Sequence, residues 1–441
     1  MQYYTQQAQN GLDADELGRR ARVLHMLGEI AEERGDIGSA LKLFQQASSG
    51  TAELLARDPT NPLRIFEHSQ SVFWVGSVAS SRGQLKLAEA QYREYQRLAN
   101  ELVSKGGRQS KWLAEIGYAD LDLGTALLAE HRIEPAITSL EQALKLEAEL
   151  VQREPGNRDR LLDYAQALAW VADANMQLGE TQAALRNRQT EQTVYVRLLK
   201  AVPNDRPTVL ALVVNRDKLA NILLEEGQTS LAIDELDKAI FEIQPLLAAD
   251  QENAGYRGAA LGVYLLLGEA NLRSGRLAQA DAAVSSARVL LNSLVRAAPN
   301  DIEWSGTQLA NLRLLTIRIA GARASNPETC RTALAPVVAE SQRLRQLIKS
   351  GTAVPALARS AARSFILLGD YELASLQAGQ AQAAWTDAVA TIESSFAVNG
   401  SVADKEAQDL LLVAQSNARQ LSVNIDIAGS VGRRTFHCAS I

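Results

Sequence analysis

The sequence predicts an all-α solenoid built from stacked antiparallel helix hairpins, and three observations support this fold class. A small residue recurs every 48 residues, at Gly28, Gly76, Gly124, Ala172, Ala220 and Gly268. With the same period, an alanine recurs twelve residues further on, at Ala40, Ala88, Ala136, Ala184, Ala232 and Ala280. Aromatic residues make up only 5% of the 441 residues, which is lean in strand formers for an all-β chain. The internal repeat therefore decides the architecture.

Each 48-residue copy is predicted to hold two helices. Seven residues after each small residue stand Gly35, Gly83, His131, Gly179, Gly227 and Gly275. Glycine at this place predicts the end of the first helix, because it enters the left-handed conformation at little cost. The second helix ends at junctions such as Asp58-Pro59-Thr60-Asn61, where a helix stop is followed by an N-cap residue. One hairpin cannot bury both of its faces, so the copies must stack.

The repeat register divides the chain into five segments. It holds through six copies and degrades after Gln308, and terminal units of such arrays are expected to be atypical because one side faces water. The predicted segments are a lead-in helix (1–20), six regular repeats (21–308), two degenerate hairpins (309–396), a capping helix (397–428) and a disordered tail (429–441).

The order of small, aromatic and proline residues within a copy resembles the tetratricopeptide repeat (TPR). The first copy carries Leu27-Gly28, Gly35, Ala40, Phe44, Ala47 and Pro59 in the order typical of that repeat. The usual repeat has about 34 residues, so both helices are predicted to be longer here. The resemblance implies a right-handed superhelix whose first helices line a concave, partner-binding groove. Long repeats of this kind also resemble the C-terminal arrays of bacterial multidomain proteins, which leads us to expect an effector domain upstream of Met1.

Composition excludes several classes of function. The chain carries 45 Lys+Arg against 51 Asp+Glu, a net charge of −6, which argues against a nucleic-acid backbone binder. Two cysteines do not make a disulfide framework or a four-thiolate zinc site. The polar N-terminus lacks a leader pattern, and no stretch approaches the roughly 18 apolar residues of a membrane span. We therefore expect a cytoplasmic protein with neither a nucleic-acid nor a membrane partner.

The motifs of catalysis and of cofactor binding are absent from the sequence. The four histidines, at positions 25, 68, 131 and 437, are far apart in the sequence, and no His-Glu-x-x-His or Cys-x-x-Cys pattern occurs. A glycine-rich phosphate loop and a Gly-x-Ser-x-Gly elbow are also missing. The expectation is a non-enzyme with no catalytic residue, no cofactor and no metal.

Candidate binding residues follow from the register of the first helices. The residue after each small residue is polar, which predicts a hydrogen-bonding stripe of Glu29, Ser77, Thr125, Asp173, Asn221 and Glu269. Phe73, Trp74 and Tyr118 are expected to lie near Leu121 and Leu128, which predicts an apolar anchor pocket in the second and third repeats. Alternatively, Tyr118 and the neighbouring Trp74 pack between the long helices. The carboxylate clamp of chaperone-tail adaptors needs a cation where this chain has Asp217, so that likeness fails.

Three functions remain open on the sequence alone. The favoured one is a non-catalytic scaffold that binds a partner peptide, a helix or an upstream effector domain in the groove. A second is the sensor domain of a larger bacterial signalling protein, of the peptide-responsive or kinase type, although the region before Ala21 is too short for a helix-turn-helix. A third is an α/α-toroid enzyme, which is disfavoured because Glu29, Asp173, Asp217 and Glu269 are too far apart to act together.

Overall fold

The computed structural model of the chain describes residues 12–351, 354–398, 401–402 and 404–428, and only the backbone of 422–428. The first eleven residues of the predicted lead-in and the predicted disordered tail lie outside the described residues. The chain forms two compact units, of which the first ends at Ala174 and the second begins at Asn175. Both are all-α apart from one two-residue strand pair in the described part of the second unit.

The described residues of the first unit form three complete helix hairpins and most of a seventh helix. In each hairpin the second helix packs against the first, and the second helices of the first two hairpins also pack against the next hairpin. The helices are α1 (Ala14–Glu33), α2 (Ile37–Arg57), α3 (Pro62–Ser81), α4 (Leu85–Gly106), α5 (Ser110–Ala129), α6 (Ile133–Arg153) and α7 (Arg158–Leu178).

Local sequence signals fix where these helices begin and end. Helix α1 starts with a capping box, in which the Asp13 carboxylate accepts from the Glu16 amide at 2.8 Å. Helix α3 starts at Asn61-Pro62, where the Asn61 side chain accepts from the Leu63 amide. The predicted left-handed turn after the first helix is confirmed in all six copies. The φ angle is positive at Gly35, Gly83, Gly179, Gly227 and Gly275, and it is 57° at His131.

Small residues let the two helices of a hairpin approach closely, as the register predicts. A β-carbon on Gly28 would lie 2.7 Å from the Phe44 ring, and one on Gly124 would lie 2.6 Å from Leu140. The alanine that recurs every 48 residues in the second helices, from Ala40 to Ala280, is 0% exposed in all six copies. Even one extra methyl group is therefore crowded at Gly28 and Gly124.

The second unit continues with hairpins and ends in a more irregular group of helices. A π-helical turn over Glu303–Gln308 leads into α13, at the point where the 48-residue register is lost. The helices are α8 (Thr181–Ala201), α9 (Arg206–Glu225), α10 (Thr229–Ala249), α11 (Ala254–Arg273), α12 (Leu277–Ala297), α13 (Leu309–Ala322), α14 (Pro327–Leu334), α15 (Pro336–Lys349), α16 (Pro355–Ala374), α17 (Ala378–Phe396) and α18 (Lys405–Ala428).

The C-terminal end of the second unit holds a feature that the sequence does not predict. Strands β1 (Ala397–Val398) and β2 (Ser401–Val402) form an antiparallel pair before α18. Helix α18 packs against α16 and α17, and Phe365 and Phe396 lie in the apolar cluster there.

Candidate functional site

The first helices of the first unit each carry residues that stay at least partly accessible, and we call this set the partner face because it holds the candidate binding residues of this unit. It consists of three residues from each of α1, α3, α5 and α7, at equivalent positions of the repeat. None of these side chains is buried, although most of their neighbours along the helix are. The residues are Arg22, His25, Glu29, Gln70, Phe73, Ser77, Tyr118, Leu121, Thr125, Gln166, Ala169 and Asp173.

The polar stripe predicted from the sequence lies on this face in all four helices. Glu29, Ser77, Thr125 and Asp173 are each half-buried. Glu29 pairs with the His25 ring at 3.4 Å, and the Thr125 hydroxyl donates to a backbone carbonyl of its own helix. None of the four stripe residues is therefore part of the buried core.

Two of the aromatic residues predicted as an anchor, Phe73 and Trp74, pack against each other and against further rings of the first unit. The Phe73 ring centroid lies 5.3 Å from that of Trp74 and 5.8 Å from that of Tyr95. Trp74 stacks on Phe44 at 5.4 Å. Trp74 thus follows the alternative of packing between helices, and the Phe73 side chain on the partner face is likewise half-buried.

Tyr118 is held by a polar contact between neighbouring first helices. Its hydroxyl donates to the Asp163 carboxylate at 2.8 Å and accepts from the Arg160 guanidinium at 3.1 Å. A cavity of about 10 Å³ lies beside Tyr118 and Leu121, and neither Phe73 nor Trp74 lines it. That volume is about the space of one water molecule, so it does not hold an apolar anchor side chain.

The Tyr118 contact repeats one made in the preceding copy, which our sequence reasoning missed. Gln70 occupies the position equivalent to Tyr118, and its amide donates to Glu115 at 2.7 Å. Glu115 is in turn equivalent to Asp163. In both copies the two polar residues are 45 positions apart in the sequence. This repeated spacing is the sequence signal that could have revealed the two contacts.

Buried carboxyl groups are concentrated behind the partner face in α5 and α6. Burial raises the pKa of Asp120 to about 6. Burial, with added repulsion from Glu115, raises that of Asp122 to about 7. Burial, then repulsion from Asp163, raises the pKa of Glu147 to about 8, although Arg160 opposes the shift. At neutral pH the Glu147 side chain is mostly uncharged.

The predicted binding residues of the second unit have different surroundings. Asn221 is exposed on α9. Asp217 has an oxygen without a hydrogen-bond partner among the described residues, and burial raises its pKa. Burial also acts on Glu269, but ion pairs with Arg318 and Arg273 outweigh it and lower the Glu269 pKa. Glu269 is thus engaged within its own unit.

The described part of the chain shows neither a metal-ligand cluster nor a membrane-spanning helix. It contains no group of three or more His, Cys, Asp or Glu side chains arranged to hold a metal ion. None of its helices is long and apolar enough to cross a membrane.

Comparison with known proteins identifies the fold. No protein-family model matches the chain, and no curated protein matches it in sequence. The apo form of the quorum sensor NprR from B. thuringiensis is similar at a TM-score of 0.52 and 12% identity, over 87% of this chain and 89% of that chain. The fold is TPR-like.

Two other solved structures are similar to this TPR-like chain at lower scores. BtubC (BKLC) from P. vanneervenii is 18% identical at a TM-score of 0.47, over 60% of this chain and 92% of that chain. A tetratricopeptide repeat protein from Parabacteroides merdae is 15% identical at a TM-score of 0.40, over 79% of this chain and 98% of that chain.

Proposed function

We propose that this TPR-like chain is a non-catalytic scaffold that binds a peptide or helix of a protein partner on the partner face. The observation that carries the proposal is the repetition of one accessible surface in four successive first helices. Three of the four copies place a polar side chain near a more apolar one, with Ser77 near Phe73, Thr125 near Leu121 and Asp173 near Ala169, whereas α1 carries polar side chains at all three positions. A ligand that spans α3, α5 and α7 meets a similar pattern in each of them.

The proposal extends to the second unit and to the wider protein. Asp217, Asn221 and Glu269 occupy the equivalent positions of α9 and α11, and we include them as candidate contacts. An upstream effector domain is one possible partner under this proposal. A bacterial origin and a cytoplasmic location complete it, and both rest on the sequence alone.

A peptide selection tests the scaffold function. A random-peptide phage library is selected on the immobilised full chain, and the dissociation constants of the selected peptides are measured by fluorescence anisotropy. Truncating a central anchor residue costs more than about 1–2 kcal/mol, so Phe73→Ala with Leu121→Ala is expected to weaken binding at least about tenfold.

The matched control is Leu63→Ala, which removes an exposed leucine of α3 that is 56% exposed and lies outside the partner face. Its binding is expected to equal that of the unaltered chain. Circular dichroism confirms that both variants keep their helix content. Equal affinity of the double variant and the unaltered chain for every selected peptide contradicts the proposal.

A further inference from the structure

The cavity beside Tyr118 and Leu121 is also lined by two acidic residues, Glu147 and Asp163, which the scaffold function does not by itself explain. It has a volume of about 10 Å³ and is lined in part by Gly117, Ala143 and Glu147. Tyr118 and Leu121 belong to the partner face, so the cavity adjoins that face. Its opposite wall comes from the second helix α6, which carries Glu147.

Glu147 is an unpartnered acid in this wall. The residue is only 2% exposed, and neither carboxyl oxygen has a hydrogen-bond partner among the described residues. A β-carbon on Gly117 would lie 2.5 Å from one of these oxygens, so the glycine leaves the room that the carboxyl group occupies. A buried polar group without a partner is costly, which points to a donor that completes the site.

Comparison with the preceding copy shows how the pocket arises. There, Tyr95 stands at the position of Ala143, and Ala99 stands at the position of Glu147. The Tyr95 hydroxyl donates to Glu115 at 2.7 Å and fills the space between the helices. In the third copy the large and small residues are exchanged, which removes the hydroxyl donor and brings in a second carboxyl group.

The charges around the cavity do not balance. Glu147 and Asp163 are two acids, whereas Arg160 is the cation that interacts with both. The Arg160 guanidinium donates through one nitrogen to Asp163 at 3.1 Å and to the Tyr118 hydroxyl, and its buried Nε has no hydrogen-bond partner among the described residues. When both acids are ionised, the pocket is one positive charge short, and a bound monocation restores neutrality.

We propose that this cavity binds a primary ammonium group, carried by a lysine side chain of a peptide on the partner face. An ammonium group is close to a water molecule in size and donates hydrogen bonds in three directions, so it reaches both Glu147 oxygens. The Tyr118 ring adds a favourable face for a cation. A lysine as the carrier rests on the proposed function, whereas the ammonium site itself does not.

Methylammonium chloride is the probe for the cavity alone. Titration of the full chain in phosphate buffer, which contains no amine, is followed by the carboxyl ¹³C signal of Glu147 and by calorimetry. For a ligand of two heavy atoms we expect a dissociation constant on the order of 10 mM. Because Glu147 must ionise on binding, about one proton is released per ligand near pH 7. Tetramethylammonium is too large and is expected to leave the signal unchanged.

Three variants locate the binding. Glu147→Gln keeps the shape and removes the charge, and is expected to weaken methylammonium binding at least tenfold. Glu141→Gln, an exposed position on the same helix, is the matched control and is expected to change nothing. Ala143→Tyr combined with Glu147→Ala installs the arrangement of the preceding copy, and is expected to keep the fold and lose binding. The fold of each variant is checked by its thermal unfolding midpoint.

An experiment with the selected peptides distinguishes the two sources of an ammonium group, a lysine side chain of a peptide and a small free amine. Replacing a lysine of a selected peptide by norleucine is expected to weaken binding to the unaltered chain but not to Glu147→Gln. If methylammonium binds and no lysine matters, the lysine assignment is wrong and the site takes small free amines. An equal response to potassium chloride, or full binding by Glu147→Gln, overturns the ammonium site even if peptides still bind the partner face.

Discussion

The sharpest prediction concerns the pH dependence of stability that Glu147 imposes. Its pKa rises from 4.5 in the unfolded chain to about 8 in the folded one. The folded state therefore binds the proton more tightly, and stability falls as the pH rises from about 4.5 towards 8. Each pH unit within this window corresponds to about 1.4 kcal/mol. Between pH 5 and pH 7 the loss assigned to this group is about 2.5 kcal/mol.

Replacing Glu147 by glutamine removes this penalty and nearly preserves the shape. Glu147→Gln is expected to match the unaltered chain near pH 4 and to exceed its free energy of unfolding by about 3 kcal/mol at pH 7. The assay is urea unfolding followed by circular dichroism at pH 4, 5, 6, 7 and 8 in amine-free buffers. The difference between the two proteins cancels the titration of the other buried acids.

Glu141→Gln provides the control, because Glu141 lies on the same helix and is exposed. Its stability difference is expected to stay within about 0.5 kcal/mol at every pH. A Glu147→Gln difference that is flat with pH would refute the reasoning, since it would mean that the carboxyl group has the same proton affinity in the folded and unfolded chains. Hydrogen exchange of the α6 amides localises the effect to that helix.

Two further predictions concern the backbone and an ion pair. His131 holds a φ of 57°, where the other five copies have glycine, so His131→Gly is expected to raise the urea midpoint by the equivalent of about 1 kcal/mol; a lowered midpoint would contradict this. Arg216 is 9% exposed and binds Glu242 through two nitrogens at 2.8 and 2.9 Å, so Arg216→Met is expected to cost about 3 kcal/mol in urea unfolding. The exposed Lys238, which also binds the second Arg216 partner, Glu235, is the control, and Lys238→Met is expected to cost less than about 1 kcal/mol.

Much of the fold was predictable because it depends on local and repeated signals. The spacing of Gly28 and its equivalents set the length of a hairpin, and the left-handed turn at Gly35 follows from glycine chemistry alone. The strand pair before α18 was not predictable, since two residues on each side carry no periodicity. The two compact units were likewise hidden, because the repeat register runs past Ala174 without interruption.

The candidate site was only half predictable, for a different reason. The sequence alone identifies the residue that follows each recurring small residue, and the polar stripe from Glu29 to Asp173 was predicted on that basis. The contact between Tyr118 and Asp163 joins two hairpins, so its geometry depends on how successive copies stack. Considered within its own copy alone, Tyr118 was assigned to an apolar pocket. In the structure its hydroxyl donates a hydrogen bond to Asp163 of the next hairpin.

Glu147 shows how a repeat sequence can nevertheless reveal such a site. Its position in the six copies is held by Thr51, Ala99, Glu147, Tyr195, Ile243 and Leu291, and all six residues are buried. A carboxyl group at a position that is buried in every copy cannot be explained as a solvated surface charge. The other copies act as internal controls for burial, which a non-repetitive sequence does not provide. An acid in such a position must be protonated, paired or bound to a ligand, and the unpartnered oxygens of Glu147 leave a proton or an ammonium group as the alternatives that the titrations distinguish.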